Sequence, residues 1–148
     1  MVILSNFSDR LTEQMILHNL SAKQLADDIG VDRVTIFALK RGARLPSTEL
    51  LFSLVEYFHC SADYLLGLIE FTPEQAVYAP PLTSFGKHFR SILEATNTSQ
   101  YKLTKEHNIS GNLIHRWLND KTMPSVANLI KLSQCLDIPV DVLIGRIK

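Results

Sequence analysis

The sequence predicts an all-α protein built from two tandem domains of five short helices each. Three observations lead to this prediction. Sliding the chain against itself by 78 positions aligns residues 7–67 with residues 85–145 without a gap, which indicates an internal repeat. Apolar residues recur along both halves at the three- and four-residue spacing of amphipathic helices. No segment shows the sustained alternation of apolar and polar residues that a half-buried β-strand requires.

The repeat is weak in identity, but the identical residues lie where a helical unit needs them. Twelve identities fall among 61 aligned positions, mostly at helix starts, turns and apolar positions. We therefore place the first domain at residues 1–69, a linker at residues 70–83 and the second domain at residues 84–148. Pro73, Pro80 and Pro81 make the linker composition typical of an extended, semi-stiff segment.

The first helix of the first domain is expected from about residue 6 to residue 18. Its apolar positions at helical spacing are Phe7, Leu11, Met15 and Leu17 or His18. Ser21, followed three residues later by Gln24, has the pattern of a capping box, so a second helix should begin at Ala22 and run to about Ile29. Gly30 then tolerates the left-handed conformation that a sharp turn requires.

Asp32 is placed to cap a third helix from Arg33 to about Lys40, and Gly42 should end it. Ile36 and Leu39 should face the core from this helix. The fourth helix should open at Leu45-Pro46-Ser47, and Ser61 should cap the fifth. The apolar positions of these last two helices are Leu50, Leu51, Leu54, Val55, Phe58, Tyr64, Leu65 and Leu66.

The second domain repeats this plan. Ser99 and Ser110 should cap its second and third helices, and Pro124-Ser125 should open its fourth. Asn108 stands where the first domain has Gly30, and asparagine is the residue that next most readily adopts a left-handed turn. Ile114 and Trp117 are expected inside, with Trp117 aligned to Leu39.

Two short helices joined by a tight turn, within a bundle of five, form the most informative pattern. It is carried in the first domain by residues 20–36, 39–42, 45–47 and 63–67. The second domain carries it more loosely, through Ser99, Leu103, Ile109-Ser110, Ile114, Trp117-Leu118, Pro124-Ser125 and residues 141–145. These residues resemble the phage-repressor or Cro/Xre-type helix-turn-helix transcriptional regulators. The resemblance implies two lambda-repressor-like domains, each presenting its third helix to the DNA major groove.

The resemblance assigns roles to residues of the first domain. It places Arg33, Val34 and Ala38 against base edges, with Thr35 and Phe37 flanking them. Arginine suits guanine, and Val34 and Ala38 suit thymine methyl groups. Phe37 has two readings: it packs on a sugar or thymine methyl, or it packs within the protein. The implied phosphate contacts are Lys23, Lys40, Arg41 and Arg44. Ala22 departs from the family pattern, which often has a phosphate-bonding glutamine there.

In the second domain that glutamine is present as Gln100. The base-facing positions fall on Gly111, Asn112 and Arg116, with His115 beside them. Asparagine suits adenine and arginine suits guanine. The implied contacts to the DNA backbone are Lys102, Asn119 and Lys121.

The charge balance qualifies this picture. The formal net charge is zero, whereas nucleic-acid binders usually carry a basic excess. Residues 1–70 hold 6 Lys+Arg and 9 Asp+Glu, and residues 71–148 hold 9 and 6, so the halves carry −3 and +3. Each domain should therefore bind DNA non-specifically with modest affinity and shallow salt dependence, and binding should need both domains or a dimer.

Other classes of protein fit poorly. No Gly-rich phosphate loop, His-Glu-x-x-His or Gly-x-Ser-x-Gly pattern occurs, so no enzyme activity is expected. The histidines share no ligand spacing, and Cys60 and Cys135 are expected to be small buried hydrophobes, so neither metal nor cofactor is expected. The absence of a basic leader or a long apolar run favours a cytoplasmic protein that does not enter a membrane.

The sequence thus predicts a sequence-specific transcriptional regulator, a repressor, that reads double-stranded DNA with one or both domains. It would bind either as a homodimer or as a single chain whose two domains occupy two half-sites. An alternative stays open: one domain, more readily the second, serves for dimerisation or binds another regulator protein.

Overall fold

The computed structural model describes residues 2–70 and 84–146, and it describes side chains from Asn6 onward. These residues contain ten α-helices and no strand, which confirms the all-α prediction. Contacts divide the chain into two compact units, Met1–Glu74 and Gln75–Lys148, called the first and second unit below. The predicted extended linker lies almost wholly at residues 71–83, outside the described residues.

The helices of the first unit are α1 (Val2–Leu17), α2 (Ala22–Ile29), α3 (Arg33–Lys40), α4 (Thr48–Phe58) and α5 (Ala62–Leu65). The boundaries predicted for α2 and α3 are confirmed, whereas α1 begins four residues before the predicted position. Leu17 and His18, the alternative last apolar positions of α1, are both exposed. Helix α3 packs against α1 and α2, and α5 packs against α1 and α4.

The helices of the second unit are α6 (Phe85–Ala95), α7 (Gln100–His107), α8 (Gly111–Leu118), α9 (Val126–Leu136) and α10 (Val140–Leu143). Helix α8 packs against α6 and α7, while α10 packs against α6 and α9. The order and packing of the helices therefore repeat those of the first unit.

Serine caps begin most of these helices. The Ser21 hydroxyl accepts from the Gln24 N–H and the Gln24 side chain accepts from the Ser21 N–H, so the predicted capping box is confirmed. The serines whose hydroxyls accept from the N–H three residues ahead are Ser21, Ser47, Ser61, Ser84, Ser99 and Ser125. Each such cap satisfies one of the backbone donors that a helix start leaves unpaired.

The predicted side-chain caps of α3 and α8 are wrong. Asp32 and Ser110 do occupy the N-cap positions, but neither side chain accepts a cap hydrogen bond. In α3 the Thr35 N–H donates instead to the Asp32 carbonyl at 3.0 Å, so the main chain itself satisfies this donor. The carboxylate of Asp32 is therefore not needed to begin the helix.

The turns of the two units match one for one. All ten residues with positive φ in the described parts of the chain form five pairs at the 78-residue offset. These pairs are Asn19/Asn97, Gly30/Asn108, Gly42/Asp120, His59/Asp137 and Gly67/Gly145. Left-handed backbone is rare outside glycine and asparagine, so five coincidences show that the two backbones follow the same path from turn to turn.

The cores also coincide. Seven aligned pairs contribute side chains that are fully buried or nearly so: Leu11/Phe89, Leu25/Leu103, Ile36/Ile114, Leu39/Trp117, Leu51/Leu129, Leu54/Leu132 and Leu65/Leu143. Trp117 is buried as predicted, with its ring centroid 6.2 Å from that of Phe89 in an edge-to-face arrangement. Cys60 is buried as expected, but Cys135 is only partly buried.

Aligned polar residues join the first and last helices of each unit. Arg10 Nη1 donates to the Ile69 carbonyl at 3.1 Å, and its guanidinium lies 4.4 Å from the centre of the Tyr64 ring. His88, aligned with Arg10, donates from Nε2 to the Val142 carbonyl at 2.7 Å. Because the final helix of each unit has only 4 residues, these bonds help to fix its position.

Gly86 allows α6 to approach the end of α8 closely. A Cβ built on Gly86 would lie 2.3 Å from the Leu118 carbonyl oxygen, which is main chain and cannot rotate away. By contrast, a Cβ on Gly111 would meet only Thr104 Oγ1, at 3.9 Å.

We predict that Gly86→Ala destabilises the second unit by about 1–3 kcal/mol, because α6 must move away from α8. Gly111→Ala is the matched control and should stabilise the unit by about 0.4–1 kcal/mol, since its Cβ fits and alanine favours helix. Urea denaturation followed by the fluorescence of Trp117, the sole tryptophan, measures both effects. Equal midpoints for the two variants would contradict this account.

Candidate nucleic-acid interface

A turn of three residues joins α2 to α3 and sets the direction of α3. Gly30 has φ +77°, and its N–H donates to the Ala26 carbonyl at 2.9 Å, closing α2. In the second unit Asn108 takes φ +61° at the end of α7, and Ile109 after it is buried. Each unit therefore contains the two-helix arrangement that the sequence predicts.

Helix α3 has one face in the core and one in solvent. Ile36 and Leu39 are fully buried, whereas Arg33 is exposed and Val34 and Phe37 expose 71% and 50% of their surface. Phe37 therefore buries about half of its side chain in the protein and leaves the other half accessible to a partner. An exposed valine and phenylalanine on one short helix form an apolar strip that a folded unit does not need for its own core.

Ala38 corrects the sequence prediction. It is only 8% exposed and lies with the core residues of α3, so its methyl group has too little free surface to contact a thymine. The aligned residue of the second unit, Arg116, is exposed. This position lies at the edge of the buried face, where a long side chain reaches solvent and a short one does not.

Exposed cations follow α3 and lie at the start of α2. Arg41 and Arg44 are exposed in the segment that follows the helix, and Lys23 is exposed in the first turn of α2. Arg44 Nη2 donates to the Thr35 hydroxyl at 3.4 Å, which brings this guanidinium beside the first turn of α3. Lys40 is partly buried and lines a groove with residues of α1, including Asp9 and Glu13.

Helix α8 presents a polar face instead. Gly111, Asn112, His115 and Arg116 are exposed, while Ile114 and Trp117 hold the opposite face in the core. The remaining predicted residues of this unit are also exposed: Gln100 and Lys102 in the first turn of α7, and Asn119 and Lys121 after α8. Asn119 Nδ2 donates to the His115 carbonyl at 2.8 Å and so closes the end of α8.

Asp120 is a residue of this region that the sequence did not single out. Its carboxylate accepts from the Ser84 hydroxyl at 2.6 Å and from the Gly86 N–H at 2.9 Å. These bonds, the one from Ser84 foremost, lower the pKa of Asp120. They hold the segment after α8 against the start of α6. No local sequence pattern predicts this contact, because Ser84 and Gly86 lie 36 and 34 residues before Asp120 in the chain.

At least one acidic side chain of the first unit points away from the exposed face of α3. The Tyr57 hydroxyl of α4 donates to the Asp28 carboxylate at 2.6 Å, and this bond raises the pKa of Tyr57. Asp28 is therefore directed toward α4.

The described residues hold no group of three or more His, Cys, Asp or Glu side chains that could bind a metal ion. None of their helices is both long and apolar enough to cross a membrane.

Comparison with known proteins identifies the two units. The model of a helix-turn-helix family matches residues 11–65 and again residues 89–143, which together make up most of the chain. The chain belongs to the Cro/Xre-type helix-turn-helix family. Members of this family are DNA-binding transcriptional regulators. Both matches include the turn and the exposed helix of their unit, α3 or α8.

A relative in Methanocaldococcus jannaschii, described as an uncharacterized HTH-type transcriptional regulator, is 38% identical over 50 residues. The match covers 34% of this chain and 76% of that protein. No solved structure matches the chain.

We predict that the second unit loses stability as the pH falls below about 4. The pKa of Asp120 is lower in the folded unit than in the unfolded chain, so the ionised carboxylate stabilises the fold above the unfolded pKa. That contribution disappears as the pH falls through the folded pKa. Asp120→Asn keeps a residue that tolerates the left-handed turn but cannot ionise.

The measurement is urea denaturation followed by Trp117 fluorescence at about pH 5 and about pH 3. The wild-type protein should lose more stability between these values than Asp120→Asn. An identical loss in both proteins would show that other carboxyl groups control acid unfolding.

Proposed function

We propose that the protein is a sequence-specific transcriptional regulator that acts as a repressor and reads the DNA major groove with α3 and α8. The observation that carries this proposal is the division of both helices into a buried and an exposed face. Ile36 and Leu39, or Ile114 and Trp117, fix each helix in its unit. The opposite face is left free for a partner, and a major groove about 12 Å wide accepts one α-helix.

In the first unit, Arg33 would donate to guanine O6 and N7 from the first turn of α3. Lys23, Arg41 and Arg44 would contact phosphates on either side, with Lys40 as a further candidate. The bond from Arg44 to Thr35 supports this arrangement, because it keeps one cation beside the base-facing turn. Phosphate contacts would set the position of α3, and base contacts would select the sequence.

In the second unit, Asn112 would pair with adenine and Arg116 with guanine. Gln100 and Lys102 at the start of α7, and Asn119 and Lys121 after α8, would contact the DNA backbone. The exposed face of α8 carries no exposed large apolar side chain, whereas the centre of a homodimer interface is typically more apolar than the rest of a protein surface. This difference favours DNA reading over dimerisation as the role of the second unit.

A homodimer is the second part of the proposal. Ile16 and Leu17 at the end of α1 are the most exposed large apolar side chains that the structure describes in the first unit outside α3. They are candidates for a contact between copies. Repression requires only that the protein occupies its DNA site, since a protein bound in the major groove excludes other proteins from the same DNA.

We predict that selection from a random duplex pool at moderate salt enriches a sequence motif. Arg33→Ala and Arg116→Ala should each relax selection at different positions of that motif, by about 1–3 kcal/mol each. Arg41→Ala is the control for a phosphate contact: it should weaken binding to all sequences alike and reduce the salt slope by about 1. Absence of any enriched motif would refute sequence-specific binding.

We also predict that light scattering gives the free protein a mass near twice the 16.7 kDa of the chain. The double substitution Ile16→Ser and Leu17→Ser should halve that mass, because it removes exposed apolar surface without opening the core. A monomeric wild-type protein would contradict the homodimer, and an unchanged mass in the variant would contradict this interface.

A further inference from the structure

The exposed faces of α3 and α8 differ at aligned positions. Val34 and Phe37 of α3 align with Asn112 and His115 of α8, and all four side chains are exposed. The first unit thus presents two apolar side chains where the second presents two polar ones. The buried faces of the same helices stay similar, with Ile36 aligned to Ile114 and both fully buried. The apolar-to-polar difference at these two positions therefore lies on the exposed surface of the helices.

We propose that α3 selects DNA through thymine methyl groups, contacted by Val34 and Phe37, whereas α8 selects DNA through hydrogen bonds to purine edges. This inference rests on the proposed function and specifies it further. On this inference the two units bind different base sequences. The part of the binding site that faces α3 should be rich in thymine, and it should not repeat the sequence that faces α8.

The reason for choosing thymine is chemical. Val34 and Phe37 carry no side-chain polar atom, so they cannot pair with the donors and acceptors of a base edge. The C5 methyl of thymine is the apolar group that a normal base pair offers in the major groove. Asn112 and Arg116 have the amide and guanidinium that bind adenine and guanine in two-point contacts, but they gain little from a methyl group.

The charge around the strip favours DNA over protein as its occupant. Arg33, Arg41 and Arg44 lie in or just after α3 and are all exposed, and Arg44 donates to Thr35 within that helix. A protein contact centred on Val34 would take the neighbouring cations out of water at a cost in solvation. A duplex places phosphates on both sides of the groove, where the same cations would be paired while Val34 meets the base edges.

The test replaces thymine by uracil in the selected binding site, one position at a time. Uracil lacks only the C5 methyl group, so the substitution alters neither pairing nor charge. Loss of one buried methyl should weaken the wild-type protein about fourfold at a thymine that faces α3. Val34→Ala should bind thymine and uracil equally well at that position. Its fold should persist, because Val34 is 71% exposed and alanine favours helix more than valine does.

Asn112→Ala is the matched control on the other helix. It should keep the preference for thymine over uracil and lose selection elsewhere in the site. A motif bound equally with thymine or uracil at every position would overturn the inference while leaving the proposed function intact. The inference would also fail if Val34→Ala left the preference unchanged but altered the mass of the free protein, since Val34 would then contact protein. Absence of any motif would refute the proposed function itself, and the inference with it.

Discussion

The left-handed residue at the end of α2 and α7 is the constraint on which the rest of each unit depends. Only three residues join these helices to α3 and α8, so the chain must change direction almost at once. Gly30 and Asn108 make that possible with φ +77° and +61°. Without such a residue the third helix could not leave the second at the angle that buries one of its faces. The core and the candidate interface are consequences of the same turn.

Each of these third helices has one face buried in the core and one face exposed to solvent. The side chains that anchor α3, Ile36 and Leu39, alternate with Arg33, Val34 and Phe37 on the outward face. Packing against α1 and α2 leaves little freedom for α3 to shift, so the core fixes the position of its backbone. This rigidity is what a reader of base edges requires, because two-point contacts tolerate little displacement. In the second unit, Asp120 adds a further restraint just after α8.

The two units keep their backbones and change their surfaces. Aligned turns and aligned core positions coincide, while the charge of the two halves of the chain differs by sign, from −3 in residues 1–70 to +3 in residues 71–148. Zero net charge is therefore not evidence against a nucleic-acid partner for this chain. The acids are distributed over the first unit, and at least Asp28 is directed toward α4 by Tyr57. The cations after α3 can act within about 8–10 Å at physiological salt, so their local arrangement matters more than the sum.

The sequence by itself determined the repeat, the helix order, the limits of α2 and α3, and the caps at Ser21, Ser61 and Ser99. The repeat follows from the 78-residue self-alignment, and the rest follows from contacts between residues three or four apart or from the conformational preference of one residue such as Gly30. Only the tertiary structure decided which surface is free. It buried Ala38, left Phe37 half exposed, and joined Asp120 to Ser84 and Gly86. Those outcomes depend on how helices that are far apart in the sequence pack together, and residue spacing along the chain does not reveal that packing.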